Sequence, residues 1–510
     1  MSIELYQMHT RLTTGIEGAA GKSYPPRPAA GRTMAGNLSD EIPLRRRLFG
    51  NRTLNLRRIR AVGYDMDYTL VHYRMEEWER RAYHHARRLL ASRGWPVDGL
   101  EFDPSRVIRG LTIDLELGNL IKPTRFGYVI RAAHGTRFLE FEEQRLAYAG
   151  VVVDLGDPRF VFLNTLFTLS EATLYGQLVD LLDAGKLGGP MSYADLYRVL
   201  RATVDEAHLP GTLKEEILAD PGRFLEPDPE AAVALLDQRY AGKRLMLISN
   251  SDWDYARRLM AIAFDPGLPA GMQWRDLFDL VIVGADKPGF FSESRPLYRI
   301  VDEEQGLMRP QRGELEPGGV YFGGCATQVE EHLGLSGDEI LYVGDHLYAD
   351  VHVSKAVLRW RTALILRELE LEIDDLEAFR PTEDALRALM AEKEDLERRL
   401  ARARLDRQRA RHGYAAPSAP LPADAEAQIT RLQEALVALD DRIGPLARAA
   451  NEIRNPWWGP LMRSGYDKSL FARQVERYAD VYTSRVSNFL YETPYAFLRA
   501  ARSTLPHDPA

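Results

Sequence analysis

The sequence predicts an α/β fold: a Rossmann-like parallel sheet with an inserted α+β cap and a helical carboxyl-terminal region. Short apolar runs recur along the chain and each ends in a polar residue, which is typical of parallel strands buried on both faces. The interval between the first two runs is too long for one crossover connection, so we expect an inserted domain there. The last third is dense in Leu, Glu, Arg and Ala, which indicates long helices. The apolar runs occupy residues 59–64, 244–248, 280–283, 340–343 and 362–366.

Composition and pattern place the boundaries between these regions. The start of the chain is rich in Gly, Pro, Ala and Thr without apolar periodicity, and we expect a loose tail. A proline-rich break at 415–422 between two helical stretches predicts a helical hairpin. The end of the chain is strongly aromatic, and we expect it to pack on the core or on a partner subunit. The predicted regions are a tail at 1–44, a core at 45–110 and 195–367, a cap at 111–194, a helical hairpin at 368–455 and an aromatic segment at 456–510.

The overall composition excludes several classes of protein. The chain has 510 residues and a net charge of -8, so no basic field attracts nucleic acid. Two arginine-rich stretches, 45–47 and 398–411, are interpreted as solvated surfaces. The single cysteine, Cys325, permits neither an intrachain disulfide nor a thiolate zinc site, as in a reducing cytosol. Since no apolar run has membrane-spanning length and no signal-peptide pattern is present, we expect a soluble cytoplasmic protein that binds neither membranes nor nucleic acid.

Two carboxylates follow the first predicted strand. Asp65 and Asp67 lie at its carboxyl end, which is the edge where ligands bind in open α/β sheets. Adjacent carboxylates repel each other, and a divalent cation is the usual compensation. With a cation present, one carboxylate can attack as a nucleophile while the other handles the proton. A motif this short could equally be two solvated turn aspartates, so its interpretation depends on the rest of the chain.

The next two strand ends carry groups suited to a phosphate. Ser249, Asn250 and Ser251 follow the second run and offer hydroxyl, amide and main-chain N–H donors to phosphate oxygens. Lys287 follows the third run, where its ammonium group can neutralise phosphate charge. These positions predict a phosphate site at the same edge of the sheet as the aspartates.

The fourth strand end adds carboxylates. Asp345 follows the run at 340–343, and Asp350 lies five residues further on. Asp65, Asp345 and a main-chain carbonyl, that of Asp67, would supply oxygen ligands for a hard cation. Magnesium takes one or two carboxylates together with waters and substrate phosphate, and this set of ligands satisfies that preference. The sequence therefore predicts a Mg²⁺ site.

Asp, then Ser or Thr, then Lys, then Asp at successive strand ends is the pattern of the haloacid dehalogenase-like phosphohydrolases, which this chain resembles. The residue types indicate the chemistry. Asp65 attacks phosphorus and forms an aspartyl-phosphate, while Asp67 protonates the leaving oxygen and then deprotonates the hydrolytic water. Ser249 and Lys287 stabilise the transferring phosphoryl group. Asp350 orients Lys287 or the metal shell.

Longer matches are spread over about residues 48–507. They are GYDMDYTL (63–70), GNLIK (118–122), AHG (133–135), LNTLF (163–167), SNSD (249–252), KP (287–288), YVGDH (342–346), RSG (463–465) and QVERYAD (474–480). With these motifs the chain resembles the cytosolic purine 5′-nucleotidases that prefer IMP and GMP. The resemblance implies a Mg²⁺-dependent enzyme that acts on purine nucleoside 5′-monophosphates. Matches this long and scattered are far more specific than the four short motifs.

The resemblance also implies a base-binding helix. Arg201, Asp205 and His208 lie at i, i+4 and i+7, on one helical face. An acid can accept from N1–H of a 6-oxopurine and an arginine can donate to the 6-oxo group, so such a site would reject adenine. A solvated helix face with one ion pair is the alternative interpretation. The implied substrate-binding residues are Phe167, which would stack on the base, Thr168, Arg201, Asp205, His208, Lys214, Asn250 and Ser251.

A candidate effector site matches the family only in part. Members of the family are regulated by purine nucleotides at a second site. An ATP-type effector needs positive charge for its phosphates, but Asp154 and Ala356 stand where basic residues are expected. The matching positions are Asn164, Tyr348, Gln474, Arg477 and Tyr478.

We therefore predict a Mg²⁺-dependent 5′-nucleotidase that hydrolyses purine nucleoside 5′-monophosphates, with IMP and GMP preferred. The resemblance implies phosphotransfer to nucleosides as a further activity, and a homodimer or homotetramer that associates through the aromatic segment. One alternative is a haloacid dehalogenase-like phosphatase for a non-nucleotide phosphomonoester. The other is a non-catalytic nucleotide-binding scaffold that binds partners through the hairpin, but the intact catalytic residues argue against it.

Overall fold

The computed structural model describes residues 42–207, 213–414 and 424–501. From Pro43 onward, the described residues belong to one compact unit. The predicted tail lies almost entirely outside the described residues, as do His208 and the proline-rich break at 415–422.

Within the described residues, the strands form one large sheet, one five-stranded sheet and three two-stranded pairs. The strands are β1 Phe49–Gly50, β2 Leu54–Asn55, β3 Ala61–Tyr64, β4 His72–Tyr73, β5 Thr112–Asp114, β6 Asn119–Pro123, β7 Val129–His134, β8 Arg137–Phe138, β9 Phe160–Phe162, β10 Leu225–Glu226, β11 Arg244–Ile248, β12 Leu280–Val283, β13 Leu297–Asp302, β14 Leu307–Pro310, β15 Gly319–Gly323, β16 Ile340–Gly344, β17 Arg361–Ile365, β18 Arg463–Ser464, β19 Asp467–Lys468, β20 Val481–Thr483 and β21 Phe497–Leu498.

The helices connect and cover these sheets. They are α1 Met75–Ser92, α2 Phe141–Ala147, α3 Leu169–Asp183, α4 Tyr193–Ala207, α5 Leu213–Ala219, α6 Pro221–Phe224, α7 Pro229–Tyr240, α8 Trp253–Phe264, α9 Gly289–Ser292, α10 Ala326–Leu333, α11 Val353–Leu358, α12 Leu369–His412, α13 Ala425–Asn451 and α14 Leu470–Tyr478. A π-helical turn at Leu347–His352 precedes α11.

The large sheet has the strand order β1-β20-β17-β16-β3-β11-β12-β15-β13-β14. Near its middle, β3 runs parallel to β16 on one side and to β11 on the other. Every residue of β3, β12 and β16 is buried, which explains their continuous apolar sequences. All five apolar runs form strands of this sheet. The predicted α/β fold class is therefore confirmed.

Helices cover the large sheet on both faces. Successive residues of the central strands alternate between two apolar clusters, as the pleat requires. In β16, Leu341 and Val343 point into the cluster that also contains side chains of α7 and α8. Ile340 and Tyr342 point into the other, with side chains of α9, α10 and α11. The middle of the sheet is thus fixed between two helical layers.

The inserted region carries the five-stranded antiparallel sheet, in the order β8-β7-β6-β5-β9. Next to it, α3 and α4 pack on each other, and both pack on α1. Since α1 lies in the stretch that we assigned to the core, it links core and cap in sequence and in space. The division of the chain into core, cap and other regions stays a prediction.

The two long helices α12 and α13 run antiparallel. Leu386 of α12 packs with Leu439 and Ile443 of α13, while Leu400 packs near the start of α13. Both apolar clusters contain only residues of these two helices. This part of the chain therefore stabilises itself by helix–helix contact rather than by packing on the sheet.

The carboxyl-terminal segment contributes to the large sheet, since β20 lies between β1 and β17. Trp458 and Phe471 are buried, whereas Tyr491, Tyr495 and Phe497 expose 39%, 56% and 45% of their surface. None of the described helices is both long enough and apolar enough to span a bilayer.

Candidate active site

The predicted catalytic residues meet at one edge of the large sheet. Asp65 directly follows β3, Asp345 directly follows β16 and Ser249 directly follows β11. Since these strands are adjacent and parallel, their carboxyl ends converge, and the Asp65 N–H donates to the carbonyl of Val343 at 2.9 Å. The structure thus brings together residues that are far apart in sequence.

Three carboxylates form a buried cluster at this edge. Oxygen atoms of Asp65, Asp345 and Asp350 lie within 4.8 Å of one another. The Lys287 ammonium nitrogen lies 2.7 Å from Asp65 Oδ1 and 2.7 Å from Asp350 Oδ1. Although burial opposes it, the charges of Asp350 and Asp65 hold the pKa of Lys287 well above its usual range. Lys287 therefore stays cationic and offsets part of the acidic charge.

The cluster still carries an excess of negative charge. Burial raises the pKa of Asp65 to about 6, with Lys287 opposing the shift and Asp350 adding to it. Burial, and then the charges of Asp65 and Asp350, raise the pKa of Asp345 well above its usual range. Asp345 Oδ2 is buried and has no hydrogen-bond donor among the described residues. Mg²⁺ prefers carboxylate oxygens as ligands. This buried cluster of three carboxylates therefore fits the predicted ion.

The Asp67 side chain makes contacts of its own outside this cluster. Its Oδ1 accepts a hydrogen bond from the hydroxyl of Tyr73, and its Oδ2 accepts one from Ser251 Oγ at 2.8 Å. Burial and the charge of Asp65 raise the pKa of Asp67. A carboxyl group with a raised pKa can keep a proton for a leaving oxygen. The Asp67 side chain is not among the three clustered carboxylates, and the metal ligand expected from this residue is its main-chain carbonyl.

The other strand-end residues hold one another in place. The side-chain amide of Asn250 donates to the main-chain carbonyl of Lys287 at 3.1 Å, and its oxygen accepts from the main-chain N–H of Lys287 at 2.7 Å. Ser249 Oγ accepts from the Ser251 N–H at 3.1 Å and is fully buried. Asn250, which we expected to bind substrate, thus fixes the segment that carries Lys287.

Sequence reasoning missed Tyr342. Its hydroxyl accepts from Lys287 Nζ at 3.1 Å and donates to the carbonyl of Ile248 at 3.0 Å. Gly63 leaves room for the ring, because a Cβ at that position would lie 2.8 Å from it. A glycine inside an apolar strand signals such a close approach.

Two residues implied as substrate-binding, Phe167 and Lys214, contact residues next to predicted site residues. Phe167 packs edge-to-face on Tyr68 of the first motif, with 4.8 Å between ring centroids. The pKa of Asp67 is raised by burial and by Asp65, and the charge of Lys214 opposes part of that rise. Lys214 Nζ lies 3.0 Å from Asp252 Oδ2. Thr168 is buried and donates to a main-chain carbonyl at the start of α3.

Arg201 and Asp205 form an ion pair on α4, with 3.1 Å between Nη2 and Oδ1. After burial and nearer charges, Arg201 also contributes to the lowered pKa of His346, the residue after Asp345. Arg201 and Asp205 thus share one face of α4, as their spacing predicted. His208 lies outside the described residues.

A separate cavity of about 570 Å³ collects the candidate effector residues. It is lined by Asn164, Tyr348, Gln474, Arg477 and Tyr478, together with Asp154, His352 and Arg473. The His352 ring stacks on Tyr478 with 3.8 Å between centroids. Ala356 is not among the lining residues described.

Comparison with known proteins identifies the class. The model of the 5′ nucleotidase family matches residues 48–510. A 5′-nucleotidase domain-containing protein of Dictyostelium discoideum is 27% identical over 90% of this chain and 74% of its own length. Human 5′-nucleotidase domain-containing protein 1 is 32% identical over 61% of this chain and 72% of its own length. The protein is a phosphoric monoester hydrolase. It belongs to the 5′ nucleotidase family.

Similarity to solved structures is low. An archaeal beta-phosphoglucomutase from a hyper-thermophilic Pyrococcus has 12% identity and a TM-score of 0.30, over 60% of this chain and 87% of that one. CbbY from Rhodobacter sphaeroides has 14% identity and a TM-score of 0.23, over 60% of this chain and 86% of that one. Likenesses of this size carry no inference about function.

Proposed function

We propose that the protein is a Mg²⁺-dependent 5′-nucleotidase that hydrolyses purine nucleoside 5′-monophosphates, with IMP and GMP preferred, through an aspartyl-phosphate. The observation that supports this most is the buried cluster in which Lys287 contacts Asp65 and Asp350, with Asp345 beside them. Family membership and the names of the two relatives support a nucleotide as the substrate.

Hydrolysis proceeds in two steps. In the first step, a carboxylate oxygen of Asp65 attacks phosphorus, the bond to the ester oxygen breaks, and Asp67 gives its proton to that oxygen. In the second step, Asp67 takes a proton from a water molecule whose oxygen attacks phosphorus. The bond between phosphorus and Asp65 then breaks and phosphate is released. The raised pKa of Asp67, caused by burial and by Asp65, suits a group that alternates between acid and base.

Charge on the phosphoryl group is offset by neighbouring cations. Lys287 is held within reach of Asp65, the attacking residue, so its ammonium group faces the position of the phosphoryl oxygens. Asp65, Asp345 and the main-chain carbonyl of Asp67 would hold Mg²⁺, which supplies further neutralisation of phosphoryl charge when bound. Ser249, directly after β11, offers a hydroxyl donor, whereas the nearby Ser251 hydroxyl donates to Asp67.

Purine preference is assigned to α4 and the start of α3. Phe167 would stack on the base, while Arg201 and Asp205 would pair with the 6-oxo group and N1–H. Adenine lacks that N1–H and would leave the acid without a donor from the base. His208 and Lys214 complete the proposed set. If a nucleoside hydroxyl replaced water in the second step, the phosphoryl group would pass to that nucleoside.

The proposed setting is the cytoplasm, and the proposed form is a homodimer or homotetramer. A single, buried cysteine suits a reducing compartment. Exposed aromatic side chains near the carboxyl end support self-association.

Phosphate release from IMP, GMP, AMP, CMP and glucose 6-phosphate, with and without Mg²⁺, tests the proposal. We expect Mg²⁺-dependent preference for the 6-oxopurines in the wild type and loss of turnover in Asp65→Asn. Asp254→Asn, which changes an exposed acid on α8, should behave as wild type. Turnover that ignores the base would instead favour the non-nucleotide phosphatase, and absence of turnover would favour the scaffold.

We also propose that the cavity around Tyr478 binds a purine nucleotide effector. The stacked rings of His352 and Tyr478 offer an aromatic surface, and Arg473 and Arg477 offer positive charge. Asp154 at the same cavity opposes phosphate binding. Calorimetry with ATP should therefore show tighter binding in Asp154→Asn and weaker binding in Arg473→Gln, and equal binding in both variants would argue against the site.

A further inference from the structure

A buried carboxylate lies behind the proposed base site. Glu171 is in the first turn of α3, four residues after Phe167, and its side chain is fully shielded from solvent. Its Oε2 lies 2.7 Å from Nη1 of Arg201, and its Oε1 accepts from the hydroxyl of Tyr197 at 2.5 Å. Neither Glu171 nor Tyr197 was predicted from the sequence to belong to a site.

A buried acid of this kind needs compensation to stay charged. Burial raises the pKa of Glu171, whereas Arg201 and the Tyr197 hydroxyl oppose that shift. The amino end of α3 adds a favourable field for a negative charge. These three features favour the ionised carboxylate, and the hydrogen bonds from Arg201 and Tyr197 fix its orientation.

The same contacts restrict Arg201. One end of its guanidinium is bound to the shielded Glu171, and the other end lies 3.1 Å from Asp205, whose side chain is 59% exposed. The Arg201 side chain itself remains 48% exposed, so part of the guanidinium is open to a ligand. An arginine that is already oriented loses less rotamer freedom when it binds a partner.

We propose that Glu171, assisted by Tyr197, is a positioning residue that orients Arg201 for recognition of the 6-oxopurine ring. This inference rests on the proposed function, in which Arg201 donates to the base. It assigns base selectivity to a contact between α3 and α4 rather than to α4 alone. Since α3 begins directly after Phe167 and Thr168, the start of this one helix would fix the positions of both the Phe167 ring and the Arg201 guanidinium.

Glu171→Gln tests this role, because glutamine keeps the size of the side chain and removes its charge. Steady-state kinetics compares IMP with ribose 5-phosphate, which keeps the sugar phosphate and lacks the base. We expect KM for IMP to rise roughly tenfold, the usual effect of weakening a charged hydrogen bond, with little change in kcat. The parameters for ribose 5-phosphate should stay at wild-type values, which also shows that the variant folds.

Two further variants sharpen the result. Tyr197→Phe removes one hydrogen bond without changing charge and should give a smaller rise in KM for IMP. Arg198→Gln removes an exposed arginine that pairs with Asp195 on the same helix, and it should change neither substrate.

Unchanged selectivity for IMP in Glu171→Gln would overturn the inference, and so would an equal loss on both substrates, which would indicate a purely structural role. A wild-type enzyme that does not prefer IMP over ribose 5-phosphate would instead refute the proposed function itself. The two failures are therefore distinguishable in one set of measurements.

Discussion

Lys287 is the residue on which the buried cluster depends. Its ammonium group has three protons and three partners, namely Asp65, Asp350 and the hydroxyl of Tyr342. With all three directions occupied, the nitrogen has little freedom to move away from Asp65. The Tyr342 hydroxyl is in turn fixed by its bond to Ile248. We infer that Tyr342 matters for catalysis through the position of Lys287.

Tyr342→Phe should therefore lower kcat. The ring and its packing remain, but one N–H of a buried ammonium loses its acceptor, and we expect a fall of about tenfold, or ~1.4 kcal/mol. Tyr321→Phe is a matched control, because Tyr321 is also fully buried in the large sheet and its hydroxyl accepts from the main chain at Glu316. Equal kcat in wild type and Tyr342→Phe would show that two carboxylates suffice to hold Lys287.

Glu79 is a second buried acid, and it should make stability depend on pH. Its carboxylate accepts from the Ser170 N–H at 2.7 Å, and burial raises its pKa from 4.5 to about 8. A group whose pKa is raised by folding favours the native state at low pH, and this contribution is lost as pH rises from about 4.5 through about 8. The change should be on the order of a few kcal/mol.

Glu79→Gln removes this titration while the amide oxygen can still accept from Ser170. Thermal unfolding between pH 5 and pH 9 should show a smaller decline in Tm for the variant than for the wild type. The exposed Glu142→Gln on α2 serves as control and should follow the wild type. Parallel Tm profiles for Glu79→Gln and wild type would show that folding leaves the pKa of Glu79 unchanged.

The residues of the buried cluster could be predicted from the sequence to lie together because each of them follows its strand closely in the chain. Tyr342 and Glu171 escaped it, since their partners Lys287 and Arg201 lie 55 and 30 residues away. Only the folded sheet and the packing of α3 on α4 bring these pairs together. The sequence around a polar residue in an apolar run does not indicate which distant residue its side chain will contact.

At the level of elements, the apolar sequence pattern alone was sufficient to predict a strand whose two faces are both buried. The five runs were predicted as strands because both faces of each strand are covered. In contrast, β20 is only Val481–Thr483, and nothing in three residues indicates that it pairs with β17, more than a hundred positions earlier. The α12–α13 pair was predicted from composition and a proline-rich break, both of which are local signals.

The pairing of α12 with α13 can be tested by a cavity. Leu439 is buried between the two helices, and Leu439→Ala should destabilise this contact by about 2–5 kcal/mol. Because the cluster contains only residues of these helices, hydrogen exchange should increase in α12 and α13 while kcat stays unchanged. Val437→Ala on the same helix is the control, since Val437 is 63% exposed. A loss of kcat in Leu439→Ala would reveal coupling between these helices and the site.

At the level of the whole molecule, one buried arginine joins three parts of the chain. Arg109 lies just before the predicted cap, donates to the main-chain carbonyl of Asp345 at 3.3 Å and pairs with Glu368 at 2.7 Å. Its guanidinium also lies over the ring of Phe471, 5.3 Å from the centroid. A single charged side chain thus contacts the residue after β16, the start of the long helical region and the carboxyl-terminal segment.

The carboxyl-terminal segment also leaves aromatic surface uncovered, and this predicts self-association. Tyr495 and Phe497 are about half exposed at a place where a second subunit would bury them. Analytical ultracentrifugation of the wild type should give the mass of a dimer or tetramer, and Tyr495→Asp with Phe497→Asp should lower it to that of a monomer, because two buried charges are costly at an interface. Phe141→Asp with Leu146→Asp, on the exposed side of α2, is the matched control and should keep the wild-type mass. Dissociation by the control pair alone would place the interface on the cap, and a monomeric wild type would leave the exposed aromatic residues without this role.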